Sequence, residues 1–371
     1  MKKRVSVLGA TGSIGKSSLD IISRNKDEFE VVLLASHSKG EELEKLKTNW
    51  PSAVCVLSGI DGGKEKLLAA IKNSGADITI NGISGAGGFE PSLAAIEAGS
   101  DLALANKETL VMAAPLVFRL AKEKNVKIIP VDSEHSAIFN LIQAHSSGGK
   151  DSLCEIILTA SGGPFRKMSI QELKNVTAKD ALAHPTWKMG PKITIDSASM
   201  ANKGLEIIEA CALFCMPQKK VNVVIHPQSI VHSMIKLCNG AIYAQLSKPD
   251  MRNPIHDALF WPKTSPLSLD AINFDCLTLE FEKPDLQKFP MLNLARLSAE
   301  KGGLYPCAYN AANEEAVAAF LQSKIGFLDI PAITKNVLEQ DWSGGCTEKE
   351  EILNADETAR EKAIFYINKN I

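Results

Sequence analysis

No stretch of the 371-residue chain comes near the ~20 consecutive apolar residues of a membrane-spanning helix. No C-x2-C pair occurs among its eight cysteines, Cys55, Cys154, Cys211, Cys215, Cys238, Cys276, Cys307 and Cys346, so neither a zinc ribbon nor a disulfide framework is expected. The closest two, Cys211 and Cys215, lie in the apolar run EACALFC, where thiols pack as small hydrophobes in preference to holding a metal. Net charge is nearly absent as well. Lys+Arg at 41 against Asp+Glu at 43 gives −2, which excludes the global basic field of a nucleic-acid binder or a polybasic membrane protein. An anionic ligand must therefore be held locally. The opening MKKRVSVLGATGSIG is basic but turns glycine-rich after five apolar-type positions, too few for the h-region of a secretory signal. A cytoplasmic protein with reduced thiols and no membrane or nucleic-acid partner is expected.

What is present is globular: 45% hydrophobic and 23% charged residues. At roughly 100 to 200 residues per domain the length calls for two or three of them. From Met1 to Asp132 short apolar runs alternate with helical patterns: VSVLG, VVLLA, AVCVL, DITING, DLALA and VKIIPVD. Six buried strands with intervening helices describe an α/β fold, a Rossmann-like doubly wound parallel sheet. Helices are expected over Ser17 to Ser23, Lys39 to Lys47, and Pro91 to Ala98 before Gly99. Beyond Asp132, CEIILTASGG and KITIDSAS read as strands, and VNVVIHPQSIVHSMIKL with AIYAQLS reads as a hairpin around Asn239-Gly240. The expected division is a nucleotide-binding domain over 1–132, an α+β catalytic domain over 133–261 with a lid loop at 181–191, a connector over 262–286, and a small C-terminal helical bundle over 287–371.

Directly after the first strand comes Gly9-Ala10-Thr11-Gly12-Ser13-Ile14-Gly15, a G-x-x-G-x-x-G variant of the dinucleotide fingerprint. Glycines let the backbone approach a pyrophosphate, and the N-terminus of the helix opening near Ser13 meets its charge, with Thr11, Gly12, Ser13 and Ile14 in contact. A bare tight turn is the other reading. At the end of the second strand, Ser36-His37-Ser38-Lys39 has no carboxylate to repel a 2′-phosphate, which favours NADP(H), unless these residues are only the solvated start of the next helix.

Asp132 and Glu134 close the sixth strand and point to one side if the strand continues that far. Two carboxylates so placed repel unless a cation lies between them, and oxygen-only ligation points to Mg²⁺ or Mn²⁺. A solvated loop is the alternative. In DSASMANKGLE, a helix starting near Ser197 would put Asn202 and Lys203 on the face of Glu206, either as a ligand set or as a Lys203–Glu206 surface pair. Glycine at 204 weakens that helix by about 1 kcal/mol relative to alanine, so something needs close approach there. Ser161 in ASGGPF follows a buried strand and can help present a phosphate site. AHPTWKMGP puts His184, Trp187 and Met189 on a loop, where they either pack permanently or close over a ligand.

Together GATGSIG, ALANKETLV, VDSEHSAIFN, TASGGPF, HPTWKMGPKITIDSASMANKGLE and IHPQSIVHSM resemble the 1-deoxy-D-xylulose 5-phosphate reductoisomerase family, in order from residue 5 to about 320. The resemblance implies an oxidoreductase that rearranges 1-deoxy-D-xylulose 5-phosphate and reduces the product with NADPH to 2-C-methyl-D-erythritol 4-phosphate, in the non-mevalonate route to isoprenoids. It implies Asp132, Glu134 and Glu206 as ligands of Mg²⁺ or Mn²⁺, and Lys107, Asp132, Glu134, Glu206 and His184 as catalytic residues. Substrate contacts carried over are Lys107, Ser133, Glu134, Ser161, His184, Trp187, Ser197, Asn202, Lys203 and Glu206. On the cofactor side it adds Ser36, His37, Ser38, Asn106, Glu108, Met189 and Gly190, with His232 and Pro249 lining the site. A homodimer is implied too. The family commonly has glycine, a basic residue and asparagine after the second strand, where this chain has Ser36-His37-Ser38. A protonated His37 would then hold the 2′-phosphate, and NADPH affinity is expected to weaken as pH rises through the histidine range. Two rivals remain at this stage: a metal-free NADP-dependent dehydrogenase of a small phosphorylated substrate, and a nucleotide-sensing binding protein.

Overall fold

A computed structural model describes residues 1–145, 152–183, 187, 189–266 and 269–369. The first elements are β1 (Lys3–Leu8), α1 (Ser13–Arg24), β2 (Phe29–Ser36), α2 (Gly40–Asn49), β3 (Val54–Leu57), α3 (Gly63–Asn73), β4 (Ile78–Asn81) and α4 (Phe89–Glu97). Then follow β5 (Asp101–Leu104), α5 (Lys107–Lys124), β6 (Ile128–Pro130), α6 (Ser133–His145), β7 (Leu153–Ala160), α7 (Ile170–Leu173), α8 (Ala178–Ala181), α9 (Pro191–Ser199) and α10 (Ala201–Phe214). The rest is β8 (Val221–Ile225), β9 (Val231–Leu237), β10 (Ile242–Leu246), α11 (Arg252–Phe260), α12 (Met291–Lys301), α13 (Tyr305–Leu321), α14 (Asp329–Leu338) and α15 (Lys349–Asn368). These elements sort into two compact units. Met1–Thr109, Val117–Ser136 and Asp250–Leu269 form the first; Leu110–Leu116, Ala137–Pro249 and Asp270–Ile371 form the second.

In the first unit six parallel strands lie in the order β3-β2-β1-β4-β5-β6. Val5, Val7, Leu34, Ile78 and Ile80 are buried, as the near-continuous apolar runs of a parallel sheet covered on both faces require. The order reverses between β1 and β4, the switch point at which doubly wound sheets take their ligands. α11 returns from later in the chain to this core, contributing Ile255, Ala258 and Leu259. Lys3 Nζ donates to the Leu259 carbonyl at 3.0 Å, and the Phe29 and Phe260 rings meet edge to face at 5.0 Å.

The second unit carries a four-stranded mixed sheet, β10-β9-β7-β8, in which β7 and β8 run parallel and β9 is antiparallel to β7 and β10. The β9–β10 hairpin turns at Asn239-Gly240 as its sequence predicts, with Gly240 at φ +87° and the Ala241 amide donating to Asn239 Oδ1. One face packs through Ile156, Leu158, Val221 and Ile235 onto Ile207, Ala210 and Leu292. The alanine-rich α13 is the central C-terminal helix, with Tyr309, Ala311, Ala312 and Ala316 fully buried.

Three expectations are corrected. Residues 192–199 are helical, not extended: Pro191 opens α9 after Gly190, whose carbonyl accepts from both the Thr194 amide and hydroxyl, and the Ile-Thr-Ile alternation only mimics a strand. β6 stops at Pro130, so Asp132 and Glu134 do not share a strand face; they lie at the start of α6, where the Asp132 carbonyl accepts the Ser136 amide. Cys211 packs on the core and burial pushes its thiol up to about 11, but Cys215 is exposed, closing α10 in the left-handed conformation at φ 54°. The close approach expected at Gly204 is real and is packing: a Cβ there would lie 2.5 Å from the Tyr309 hydroxyl and 2.9 Å from Ala295 Cβ.

Candidate active site

At the first unit's switch point the glycine loop folds as its composition demands. Gly9 takes φ +77°, with Gly82 of the loop after β4 so near that a Cβ would lie 2.7 Å from its carbonyl oxygen. A Cβ at Gly15 would lie 2.4 Å from the Gly9 oxygen, which clamps the loop onto α1. Gly12 precedes α1 without any side-chain cap, leaving the N–H groups around Ser13 and Ile14 for an anion. This cradle fits a dinucleotide pyrophosphate. Thr11 and Ser36 are buried and share a hydrogen bond at 2.7 Å, so their hydroxyls tie the loop to the end of β2. His37 and Ser38 are exposed beyond it, and the Ser58 hydroxyl lies 3.4 Å from His37 Nδ1. Lys39 and Lys16 both contact Glu42, at 3.1 and 2.9 Å, whereas His37, directly after β2, has no carboxylate contact among the described residues.

Asn106 caps α5, accepting from the Thr109 amide, while its amide nitrogen donates to the carbonyls of Ile83 and Gly85 and to Glu108. The Asn106 carboxamide thus holds the loop after β4 against α5. The next residue, Lys107, is 4% exposed and pairs with Asp132. Burial would raise the Asp132 carboxyl; Lys107, and then His135 with Nδ1 3.6 Å away, override it and hold the group well below the usual carboxylate range. The Glu134 amide donates to Asp132 Oδ1, and the Ser133 hydroxyl donates to Glu134. A half-buried, ionised carboxylate with a second one two residues on fits a hard divalent cation.

The second unit carries a further polar cluster. Asn202 and Lys203 both donate to Glu206, Asn202 at 2.6 Å, and the Lys203–Glu206 pair is buried, which removes the surface-pair reading. Gly163, at φ +66°, abuts the end of α9, and the Gly163 amide donates to Ser161 Oγ at 3.3 Å, so the Ser161 loop and Ser197 are brought together. His232, buried, bonds through Nε2 to Ser247 at 2.7 Å, and Pro249 is half-buried after β10. Trp187 and Met189 are half-buried and Gly190 exposed; His184 lies outside the described residues.

Sequence reasoning missed His135, whose position one helical turn from Asp132 was legible only once α6 was known to begin at 133. It also left His226 unassigned. That ring is structural, its Nδ1 facing the Glu280 carbonyl and Nε2 accepting from the amides of Ile230 and Val231.

Profiles described as 1-deoxy-D-xylulose 5-phosphate reductoisomerase match residues 5–62 and 52–114, and profiles of its C-terminal domain match 128–214 and 246–362. A protein of that name from Treponema denticola is 48% identical over 374 residues, covering 99% of this chain and 97% of its own. The chain belongs to the 1-deoxy-D-xylulose 5-phosphate reductoisomerase family. A second reductoisomerase, from Chlorobium chlorochromatii, is 46% identical over 98% of this chain and 100% of its own. Among solved structures, the reductoisomerase from Zymomonas mobilis in complex with NADPH matches with TM-score 0.91 and 40% identity, covering 99% of each chain. A reductoisomerase in complex with NADPH, fosmidomycin and magnesium matches with TM-score 0.91 and 36% identity, over 99% of this chain and 98% of that one.

Proposed function

We propose that this reductoisomerase uses NADPH and a divalent cation to convert 1-deoxy-D-xylulose 5-phosphate to 2-C-methyl-D-erythritol 4-phosphate, a skeletal rearrangement followed by hydride reduction. The observation that carries this reading is the pair of lysine–carboxylate clusters, Asp132 with the buried Lys107 and the buried Glu206 with Lys203, in a chain whose relatives share its whole length. A metal-free dehydrogenase has no use for two such clusters.

In this reading Asp132, Glu134 and Glu206 hold the cation, which supplies a Lewis acid for the substrate's carbonyl and neighbouring hydroxyl. Lys107 keeps Asp132 ionised and stands beside the substrate carbon chain. Lys203 and Asn202 orient the Glu206 carboxylate through hydrogen bonds to both of its oxygens. Ser161, Ser197 and Asn202 take the phosphate, with the backbone N–H of Gly162 as a further donor. Ser133 orients Glu134. The loop at 181–191, with His184, Trp187 and Met189, excludes water from the reacting centre. On the cofactor side, the loop from Thr11 to Ile14 and the start of α1 take the pyrophosphate, Ser36, His37 and Ser38 the ribose 2′-phosphate, and Asn106, Glu108, Met189 and Gly190 the nicotinamide end. We assign these roles to a nucleotide-binding segment over 1–132, a catalytic segment over 133–261, a connector over 262–286 and a helical segment beyond it.

A homodimer is part of the proposal, supported by the exposed edge strand β10 with Ile242 and Tyr243 on its surface. No helix among the described residues is long and apolar enough to cross a membrane, and the cysteines without disulfides support a reducing, cytoplasmic setting. The test is to incubate the purified protein with NADPH, Mg²⁺ and 1-deoxy-D-xylulose 5-phosphate and identify the product by NMR. A branched tetrol phosphate formed in equal amount with NADP⁺ is expected; an unbranched reduced sugar phosphate would refute the rearrangement.

A further inference from the structure

Asp196, the single carboxylate of α9, is 1% exposed and lies immediately before Ser197. It is held from two sides. Asn313 Nδ2, on α13, donates to Asp196 Oδ1 at 2.7 Å, and Lys192 Nζ, one turn earlier on α9, lies 2.9 Å from Oδ2. The Asn313 side chain is itself buried, and its Oδ1 has no hydrogen-bond partner among the described residues, so its one hydrogen bond of note is the one to Asp196. Around this point the charge network continues: Glu314 lies 3.9 Å from Lys192 and pairs with Arg360 of α15, which also binds Glu315 and Asp356. The same helix α13 supports α10, since the Tyr309 hydroxyl fills the notch left by Gly204.

We propose that Asn313 and Asp196 are positioning residues for the substrate phosphate, fixing the end of α9 and with it Ser197 from the C-terminal helices. The proposal rests on the reading of Ser197 as a substrate contact. Its physical basis is that a buried carboxylate must keep its donors, so α9 cannot slide or rotate without stranding Asp196. Helix α9 ends one residue beyond Ser199, at Met200 in the left-handed conformation, and the Ser197 backbone bears on Gly163 of the Ser161 loop. A displacement of α9 therefore moves both serines' surroundings together.

The test compares steady-state kinetics of the full-length protein with NADPH, Mg²⁺ and 1-deoxy-D-xylulose 5-phosphate. Asn313→Asp sets carboxylate against carboxylate and is expected to raise the substrate KM about tenfold while kcat and the NADPH dissociation constant change less than about twofold. Combining it with Asp196→Asn restores an amide facing a carboxylate with the donor on the other helix, and KM is expected to return to within about threefold of the starting value. Should Asn313→Asp not fold, Asn313→Ser, which removes the amide without adding charge, carries the same expected rise. Ser197→Ala is measured beside them. If Ser197→Ala raises KM and the folded Asn313 variants do not, the proposal fails alone; if Ser197→Ala leaves KM unchanged, the reading of Ser197 fails first. A KM rise that the double substitution does not reverse also overturns the proposal.

Discussion

A Cβ on Gly163 would lie 2.8 Å from the carbonyl oxygen of Ser197. Two segments that are far apart in sequence, the loop after β7 and the end of α9, therefore meet backbone to backbone, and each brings a serine. Because Gly163 also holds φ +66°, Gly163→Ala is doubly disfavoured. It is expected to destabilise the protein by about 1 to 3 kcal/mol and to raise the substrate KM more than it lowers kcat. Urea unfolding with parallel kinetics reads both; a KM that does not move would separate the two serines' loops functionally.

Lys107 and Asp132 link the chemistry to pH. The Asp132 carboxyl is held below its unfolded value, chiefly by Lys107 against the cost of burial. Its contribution to stability is therefore present above the unfolded carboxylate value of about 3.9 and is lost as pH falls through the lower, folded one. Lys107→Met removes the depression, so the metal-free variant should be less stable by about 3 kcal/mol at pH 7. The difference from the parent should shrink as pH falls toward 3. Chelated protein unfolded in urea across that range gives the comparison, and a constant difference would mean Lys107 acts by packing alone.

Much of this architecture is legible in the sequence. The six strands of the first sheet and their helices follow from apolar runs spaced by helical stretches, and GATGSIG falls at the switch point because it directly follows β1. Asn202, Lys203 and Glu206 share a face as helical spacing requires. What misled was local: Ile193 to Ile195 alternate like a strand, yet Pro191 and the buried tie from Asp196 to Asn313 make that segment helical. That tie joins residues 117 apart in sequence, and no period along the chain announces a partner so distant. His135 was hidden for the same kind of reason, since its neighbourhood to Asp132 exists only on a helix.

In the proposed reading His37 carries the preference for NADPH. With Lys39 and Lys16 engaged by Glu42, a carboxylate placed at 37 would face the proposed 2′-phosphate site with little compensation. His37→Glu is expected to weaken NADPH binding about tenfold or more while NADH binding changes less than about threefold. Fluorescence titration of both nucleotides decides it; equal losses would place the 2′-phosphate elsewhere.

In the proposed reading Glu206 serves catalysis and not nucleotide binding. Glu206→Gln keeps a hydrogen-bond acceptor for Asn202 or Lys203 but removes the charge. Turnover should fall by about three orders of magnitude or more, with NADPH affinity within about twofold of the parent. Loss of both together would instead indicate a folding defect, which a thermal melt would reveal.

In the proposed reaction the carboxylates of Asp132, Glu134 and Glu206 serve one divalent cation. The most direct measurement is the rate of substrate-dependent NADPH oxidation by exhaustively chelated protein, before and after Mg²⁺ or Mn²⁺ is returned. No measurable rate is expected without the cation, and a full return at about one bound ion per chain. An undiminished rate in the chelated protein would contradict it.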